Sequence, residues 1–89
     1  MSNRLTAAEL KAITARCSAA RPGPWRSLVE GRDHTSGSSF IMVGQGGARD
    51  EDIELVGATP EDQDFIAHAR SDIARLIDEI ERLWAKPQV

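Results

Sequence analysis

Apolar residues recur at helical spacing through the last third of the chain. Two heptad rows share this stretch, and Ile77 and Trp84 widen the stripe that they form. The rows consist of Ile66, Ile73 and Ile80, and of Ala69, Leu76 and Leu83. Just before them, Thr59 has the chemistry of an N-cap and Pro60 suits the first helical position. The pattern predicts one long helix over residues 60–85.

A shorter helical pattern lies near the start of the chain. Thr6 and Glu9 have the spacing of a capping box, in which each side chain bonds the other residue's backbone N–H. A narrow apolar edge follows at helical spacing, formed by Leu10, Ile13, Cys17 and Ala20. Pro22 disfavours a helical residue before it, so a first helix is predicted over about residues 6–20.

Three strand-like segments separate the two helices. They read WRSLVE at 25–30, SSFIMV at 38–43 and IELV at 53–56. The links between them, 31–37 and 44–52, are rich in Gly, Ser and Asp, which is typical of hairpin loops. Three sequential strands with such links favour an antiparallel meander.

The order of elements predicts an α+β fold for a single domain that spans residues 1–89. An N-terminal helix, a three-stranded antiparallel meander and a long C-terminal helix would form two layers, with both helices on one face of the sheet. In the middle strand Phe40 and Met42 point one way, whereas Ile41 and Val43 point the other. The pattern therefore leaves open which face of the sheet is buried.

Composition places the chain among ordinary soluble globular proteins, with 40% apolar and 28% charged residues. Cys17 is the sole cysteine, which excludes an internal disulfide. The sequence shows no signal peptide and no apolar run near the ~18 residues that a membrane span needs. We therefore expect a cytoplasmic protein that does not enter a membrane.

Charge is unevenly distributed between the two halves of the chain. Residues 1–49 carry seven Lys or Arg and three Asp or Glu, whereas residues 50–89 carry four and eleven. A nucleic-acid-associated regulator is thus an alternative, with phosphate facing the bases of the first half. These bases are Arg4, Lys11, Arg16, Arg21, Arg26 and Arg32. They are scattered singly in an acidic protein, so nucleic acid is not the expected partner.

Two short motifs together resemble a known family. The segment ARPGPW, residues 20–25, resembles the A-T-P-G-P-W segment that follows the first helix in the Ead-like family of small phage and prophage early-region proteins. The segment DFIAHAR, residues 64–70, is similar to the D-x-x-F-I-A-x-A-R segment that opens their last helix. Arg21 stands where the family usually has Thr. The resemblance implies a mobile-element origin and an accessory role, and it names no activity or substrate.

The same motifs have a structural interpretation of their own. Two prolines restrict the backbone angle φ in the turn before Trp25, and one glycine between them allows a wider range of φ. We expect this turn to position Trp25 as an apolar plug between the first helix and the start of the last. The motif residues are Pro22, Gly23 and Pro24 in the turn, and Phe65 and Ile66 as the contacts of Trp25 on the helix.

Possible catalytic and phosphate-binding chemistry lies in the two loops, and a structural interpretation is favoured for each. The glycines of 44–47 lack the following helix and Lys that a phosphate loop needs, so they fit a turn with positive φ. The triad-like residues share one flexible loop, whereas a nucleophile, base and acid ordinarily come from separate rigid elements. They are Asp33, His34, Ser36, Ser38 and Ser39.

Metal binding is a weaker alternative function. Asp64 and His68 lie one helical turn apart and could hold a divalent metal, although ion pairs along the helix explain the same residues. The alternating acids Asp50, Asp52 and Glu54 lack the glycine and the closing glutamate of a calcium loop. We expect no cofactor and no catalytic residue, and we expect Cys17 to be an inert apolar residue.

Helix length favours a partner at the C-terminal end. A helix of 26 residues spans about 39 Å, while strands of five or six residues span about 20 Å, so the last turns should extend beyond the sheet. The interface residues expected there are Ile77, Ile80, Leu83 and Trp84. The sequence thus predicts a non-enzymatic, homodimeric protein-interaction module that binds an unidentified host or phage protein.

Overall fold

The structure is a computed structural model that describes residues 4–85. It contains two helices and a two-stranded antiparallel sheet, so the α+β class is confirmed. The elements are α1 (Ala7–Ala19), β1 (Trp25–Leu28), β2 (Phe40–Val43), a 3₁₀ turn (Gly46–Ala48) and α2 (Pro60–Ala85). The predicted domain also includes residues 1–3 and 86–89, which lie outside the described residues.

Both helices begin with reciprocal caps. In α1 the Glu9 N–H donates to Thr6 Oγ1 at 3.0 Å, and the Thr6 N–H donates to Glu9 Oε1 at 2.8 Å. The predicted capping box is thus confirmed. In α2 the Asp62 N–H donates to Thr59 Oγ1 at 3.0 Å, and the Thr59 N–H donates to the Asp62 carboxylate at 3.1 Å. Two otherwise unpaired backbone donors are satisfied at each helix start, which fixes where the helices begin.

The predicted three-stranded meander is wrong. β1 and β2 pair from Trp25↔Val43 to Leu28↔Phe40, but the segment 53–56 contributes only one bridge, between Ile53 and Ile41. Beyond that bridge the chain turns away at Gly57, whose φ of +82° favours glycine. The segment 53–56 therefore forms one bridge to β2 and no third strand.

The two observed strands are also shorter than the predicted 25–30 and 38–43. The Val29 N–H donates to the Asp33 carboxylate at 2.7 Å, and the Glu30 N–H donates to Ser39 Oγ at 3.0 Å. Side chains of the loop thus take the backbone donors that would otherwise extend the ladder, as Asp and Ser commonly do in turns.

The sheet packs on the N-terminal half of α2, and α1 packs along α2 in the opposite direction. Cys17, near the end of α1, contacts Arg70, whereas Ala7, at its beginning, lies near Trp84. Within residues 4–85 the backbone of α1 approaches α2 and neither strand, so the prediction that both helices cover one face of the sheet is wrong. A sheet of two four-residue strands has room for only one helix.

The core is small and lies where α2 meets its neighbours. Ile41 and Val43 are fully buried, while Phe40 and Met42 are only partly buried, which identifies the buried face of the sheet. The other buried apolar residues are Leu10, Val29, Ala67 and Ile77. The protein is elongated as a result, with extents of 56 × 36 × 21 Å.

One polar side chain, that of Gln63, is buried within this core with 4% of its surface exposed. Its Nε2 lies 2.9 Å from Ser27 Oγ, 3.2 Å from the Phe40 carbonyl oxygen and 3.3 Å from the Leu28 carbonyl oxygen. Two amide hydrogens serve three acceptors, so at least one hydrogen is shared. Gln63 thereby fixes the loop end of the hairpin to α2.

No helix among residues 4–85 combines the length and apolar character that crossing a bilayer requires.

Candidate protein interface on the long helix

The heptad rows of α2 face outward. The exposed fractions are 37% for Ile66, 40% for Ile73, 61% for Leu76 and 51% for Leu83, while Ala69 and Ile80 are partly buried. We call these six residues the heptad seam. Large apolar side chains are rarely exposed as one continuous row in a soluble monomer, so the seam is the strongest candidate interface on the described part of the chain.

The seam lies beside the face of α2 that forms the core of the protein. Gln63, Ala67 and Ile77 are the buried residues of α2, and they follow helical spacing on their own side of the helix. No residue of this buried set belongs to a heptad row. The fully buried core therefore contains no residue of the seam, although Ala69 and Ile80 of the seam are partly buried.

One edge of the seam borders α1 across a shallow hollow of about 250 Å³. Ile66, Ala69 and Ile73 line it from α2, and Ile13 and Cys17 line it from α1. The hollow therefore extends the apolar surface of the seam onto the second helix.

The opposite edge of the seam carries a row of charges around Leu76, formed by Asp72, Arg75, Glu79 and Arg82, and Asp78 lies beyond this row on the side away from the seam. Glu79 and Arg82 form a salt bridge, and the guanidinium holds the pKa of the Glu79 carboxyl below its usual value. Asp72 and Arg75 form no salt bridge within residues 4–85. Two of the four charged side chains in this row, Asp72 and Arg75, therefore have no salt-bridge partner among the described residues of their own copy.

The structure distributes the four predicted interface residues between the core and the surface. Ile77 is 6% exposed and belongs to the core, while Ile80 is partly buried. Leu83 and Trp84 remain about half exposed. α1 lies beside the C-terminal end of α2, so this end is not the free overhang that helix length alone indicates. Leu76, which the heptad pattern contains, takes the place of Ile77 on the exposed surface.

The two motifs of the sequence meet in space. Arg70 Nε donates to the Arg21 carbonyl oxygen at 2.8 Å, and Arg70 Nη1 lies 3.0 Å from Cys17 Sγ. A Cβ added at Gly23 would lie 3.7 Å from Arg70 Cγ, so the turn rests directly on the helix. Arg70 thus fastens the end of α1 and the turn after it to α2, a role that its spacing in the sequence does not reveal.

Of the two α2 residues expected to contact Trp25, one lies near it and the other does not. Trp25 is partly buried and lines the same hollow as Ile66. Phe65 is 76% exposed and instead borders a second hollow with Val56, which is itself fully exposed. Phe65 and Val56 thus add a smaller apolar patch near the start of α2.

Asp64, a candidate metal ligand, is held by an arginine. Arg32 Nη1 and Nη2 donate to the two Asp64 carboxylate oxygens at 2.8 and 2.9 Å, and Arg32 also bonds Asp33. His68 Nδ1 lies 2.8 Å from the Asp64 backbone oxygen. The carboxylate is thus directed at the loop that carries Arg32. Among residues 4–85 there is no cluster of three or more potential metal ligands.

We expect the Arg32–Asp64 pair to make stability depend on pH. The Arg32 hydrogen bonds, followed by the Ser27 hydroxyl, hold the pKa of Asp64 well below its usual range. A depressed pKa contributes stability above the unfolded value of about 3.9, and this contribution is lost as the pH falls further. The melting temperature of the wild type should therefore fall more steeply between pH 5 and pH 3 than that of Asp64→Asn. Equal slopes in thermal melts would contradict this assignment.

The other candidate residues of the loops make local structural contacts. His34 Nδ1 lies 2.6 Å from Ser36 Oγ, and its ring packs edge-on to Phe40 with centroids 5.2 Å apart. Asp50 forms a salt bridge with Arg21, and Asp52 forms one with Arg49. Glu30 Oε1 lies 3.7 Å from the same His34 nitrogen, Nδ1, that Ser36 Oγ contacts. A catalytic triad uses both ring nitrogens of its histidine, one toward the nucleophile and one toward the acid, so this grouping does not have triad geometry.

Two of the bases considered for nucleic-acid binding are already paired. Arg21 lies 3.3 Å from the Asp50 carboxylate, and Arg32 bonds Asp33 and Asp64. Each of these guanidinium groups would have to exchange an internal partner for phosphate, which weakens the gain from counterion release.

Comparison with known proteins gives no assignment: no family model, no curated protein and no solved structure matches the chain.

Proposed function

We propose that the protein is a non-enzymatic interaction module that forms a homodimer through the heptad seam of α2. The observation that carries this proposal is the separation of two apolar surfaces on one helix. Gln63, Ala67 and Ile77 serve the protomer's own core, while Leu76 and Leu83 on the seam are more than half exposed. An apolar row at heptad spacing is the pattern by which one helix packs against another.

The proposed role of the dimer is to bind a protein of a host or a phage. The resemblance to Ead-like proteins supports a phage or prophage origin and an accessory role. The two motifs that carry this resemblance contact each other through Arg70, which supports their interpretation as a structural unit of the fold rather than as a site of chemistry.

The proposal is tested by mass measurement in solution. The protomer has a mass of 9.7 kDa, and we expect sedimentation equilibrium to give twice that mass at micromolar concentration. Leu76→Glu with Leu83→Glu should give a folded monomer, because two buried and unpaired carboxylates are costly in an apolar interface.

Val56→Glu is the matched control, since Val56 is an exposed apolar residue that lies off the seam. It should remain dimeric. Circular dichroism shows whether each variant keeps its helices. A monomeric wild type at micromolar concentration would overturn the proposal.

A further inference from the structure

We infer that the second copy of this chain lies antiparallel on α2, related by a two-fold axis near residue 77. This inference rests on the proposed homodimer and assigns its geometry. The observation behind it is the order of the charges nearest the seam, which reads acid, base, acid, base at Asp72, Arg75, Glu79 and Arg82. Asp78 lines the same hollow, but helical spacing places it on the side of this row that faces away from the seam.

A row of this kind is complementary to itself only when it is reversed. In an antiparallel pair centred near residue 77, Asp72 lies opposite Arg82 of the second copy, and Arg75 lies opposite Glu79 of the second copy. A two-fold axis makes each of these contacts twice. In a parallel pair in register, the two rows lie on opposite sides of the contact, so neither row meets the row of the second copy.

The ion pairing within one copy supports the same arrangement. The one salt bridge in the row joins Glu79 and Arg82, and within residues 4–85 neither Asp72 nor Arg75 has a salt-bridge partner. Asp72 and Arg75 are therefore available to a second copy. Leu76 lies next to the proposed axis and is the most exposed residue of the seam, so it would be buried at the centre of the contact.

A charge-reversal cycle tests the orientation. Asp72→Lys places like charges opposite each other in the antiparallel dimer, and so does Arg82→Glu, so each should weaken dimerisation roughly tenfold. The double variant exchanges the two charges and restores complementarity between copies. Its dimer dissociation constant should therefore return to within about threefold of wild type.

Positions 72 and 82 are about 15 Å apart on one helix, which is more than a Debye length at physiological salt, so compensation within a single copy is small. Arg82→Glu also removes the internal bond to Glu79, and circular dichroism reports any loss of helix. A double variant that dimerises no better than the weaker single variant would overturn the antiparallel arrangement.

Distances between spin labels provide an independent readout. In a Cys17→Ser background, a label on Glu61→Cys lies 16 residues from the proposed axis, which gives about 48 Å between the two labels along the helices. A parallel dimer in register would hold these labels near the interaxial spacing of about 10 Å, extended by the label arms.

A label on Asp78→Cys lies close to the axis along the helix but on the face away from the seam, so the two labels are separated by about the width of the helix pair in either arrangement. This distance is well below ~48 Å, and it reports that a dimer is present. A short distance at both positions would overturn the antiparallel arrangement and leave the homodimer standing. The absence of dipolar coupling at both positions would overturn the homodimer itself, and the inference with it.

Discussion

Replacing Gly44 by alanine is expected to lower the free energy of unfolding by at least about 2 kcal/mol. Gly44 is buried directly after β2 and has a φ of +72°, a region that disfavours a Cβ. The added Cβ would lie 2.3 Å from the Ala48 carbonyl oxygen, and this oxygen belongs to backbone that cannot rotate away. The Gly44 N–H also donates to the Pro24 carbonyl oxygen at 2.8 Å, so any shift of the backbone would strain this bond.

Alanine substitutions at two neighbouring glycines separate the energetic cost of a positive φ from the cost of the close contact with Ala48. Gly46 has a φ of +58° and open space around its Cβ position, so Gly46→Ala should show the conformational cost alone, about 1–2 kcal/mol. Gly47 has neither restriction, and Gly47→Ala should stay within about 0.5 kcal/mol of wild type. Urea denaturation of the three variants measures the differences. If Gly44→Ala is no less stable than Gly46→Ala, the close approach to Ala48 is not a constraint.

Replacing Gln63 by leucine is expected to lower the free energy of unfolding by about 2–3 kcal/mol. Leucine preserves most of the volume but donates no hydrogen bond. The Leu28 and Phe40 carbonyl oxygens and the Ser27 hydroxyl would each lose a donor in a place where the side chain of Gln63 is 4% exposed. For a chain of this length such a loss lowers the melting temperature by roughly 10 °C or more.

Gln45→Leu is the matched control for this substitution. Gln45 is exposed and its side chain caps no helix, so the same chemical change should stay within about 0.5 kcal/mol. If Gln63→Leu is as stable as Gln45→Leu, then water or a backbone rearrangement supplies hydrogen bonds to the hairpin's acceptors in place of Gln63.

The parts of the fold that follow from local signals could be predicted from the sequence. Thr6 with Glu9 and Thr59 with Pro60 mark the two helix starts, because caps act over three residues and need no tertiary context. The heptad rows are likewise visible as spacing alone. What spacing does not reveal is that the core uses Gln63, Ala67 and Ile77 instead, since the choice of face depends on where the hairpin packs.

Long-range contacts account for the parts that could not be predicted. The segment 53–56 has strand-forming residues, but pairing beyond Ile53 depends on the direction that the chain takes at Gly57. The bond from Arg32 to Asp64 joins residues 32 positions apart, and the bond from Arg70 to Arg21 joins residues 49 apart. No local pattern encodes such pairs. The sequence therefore reveals the row of apolar positions that forms the candidate interface. It does not reveal that these side chains remain exposed to solvent.

The elongated outline of the protomer affects how its size is measured in solution. Its radius of gyration is 16.5 Å, whereas a compact chain of this length would have about 12 Å. An elongated particle experiences more friction than a sphere of the same mass and diffuses more slowly. Gel filtration, which responds to diffusion and outline, would therefore overstate the mass of a single copy and give a monomer the elution volume of a larger particle.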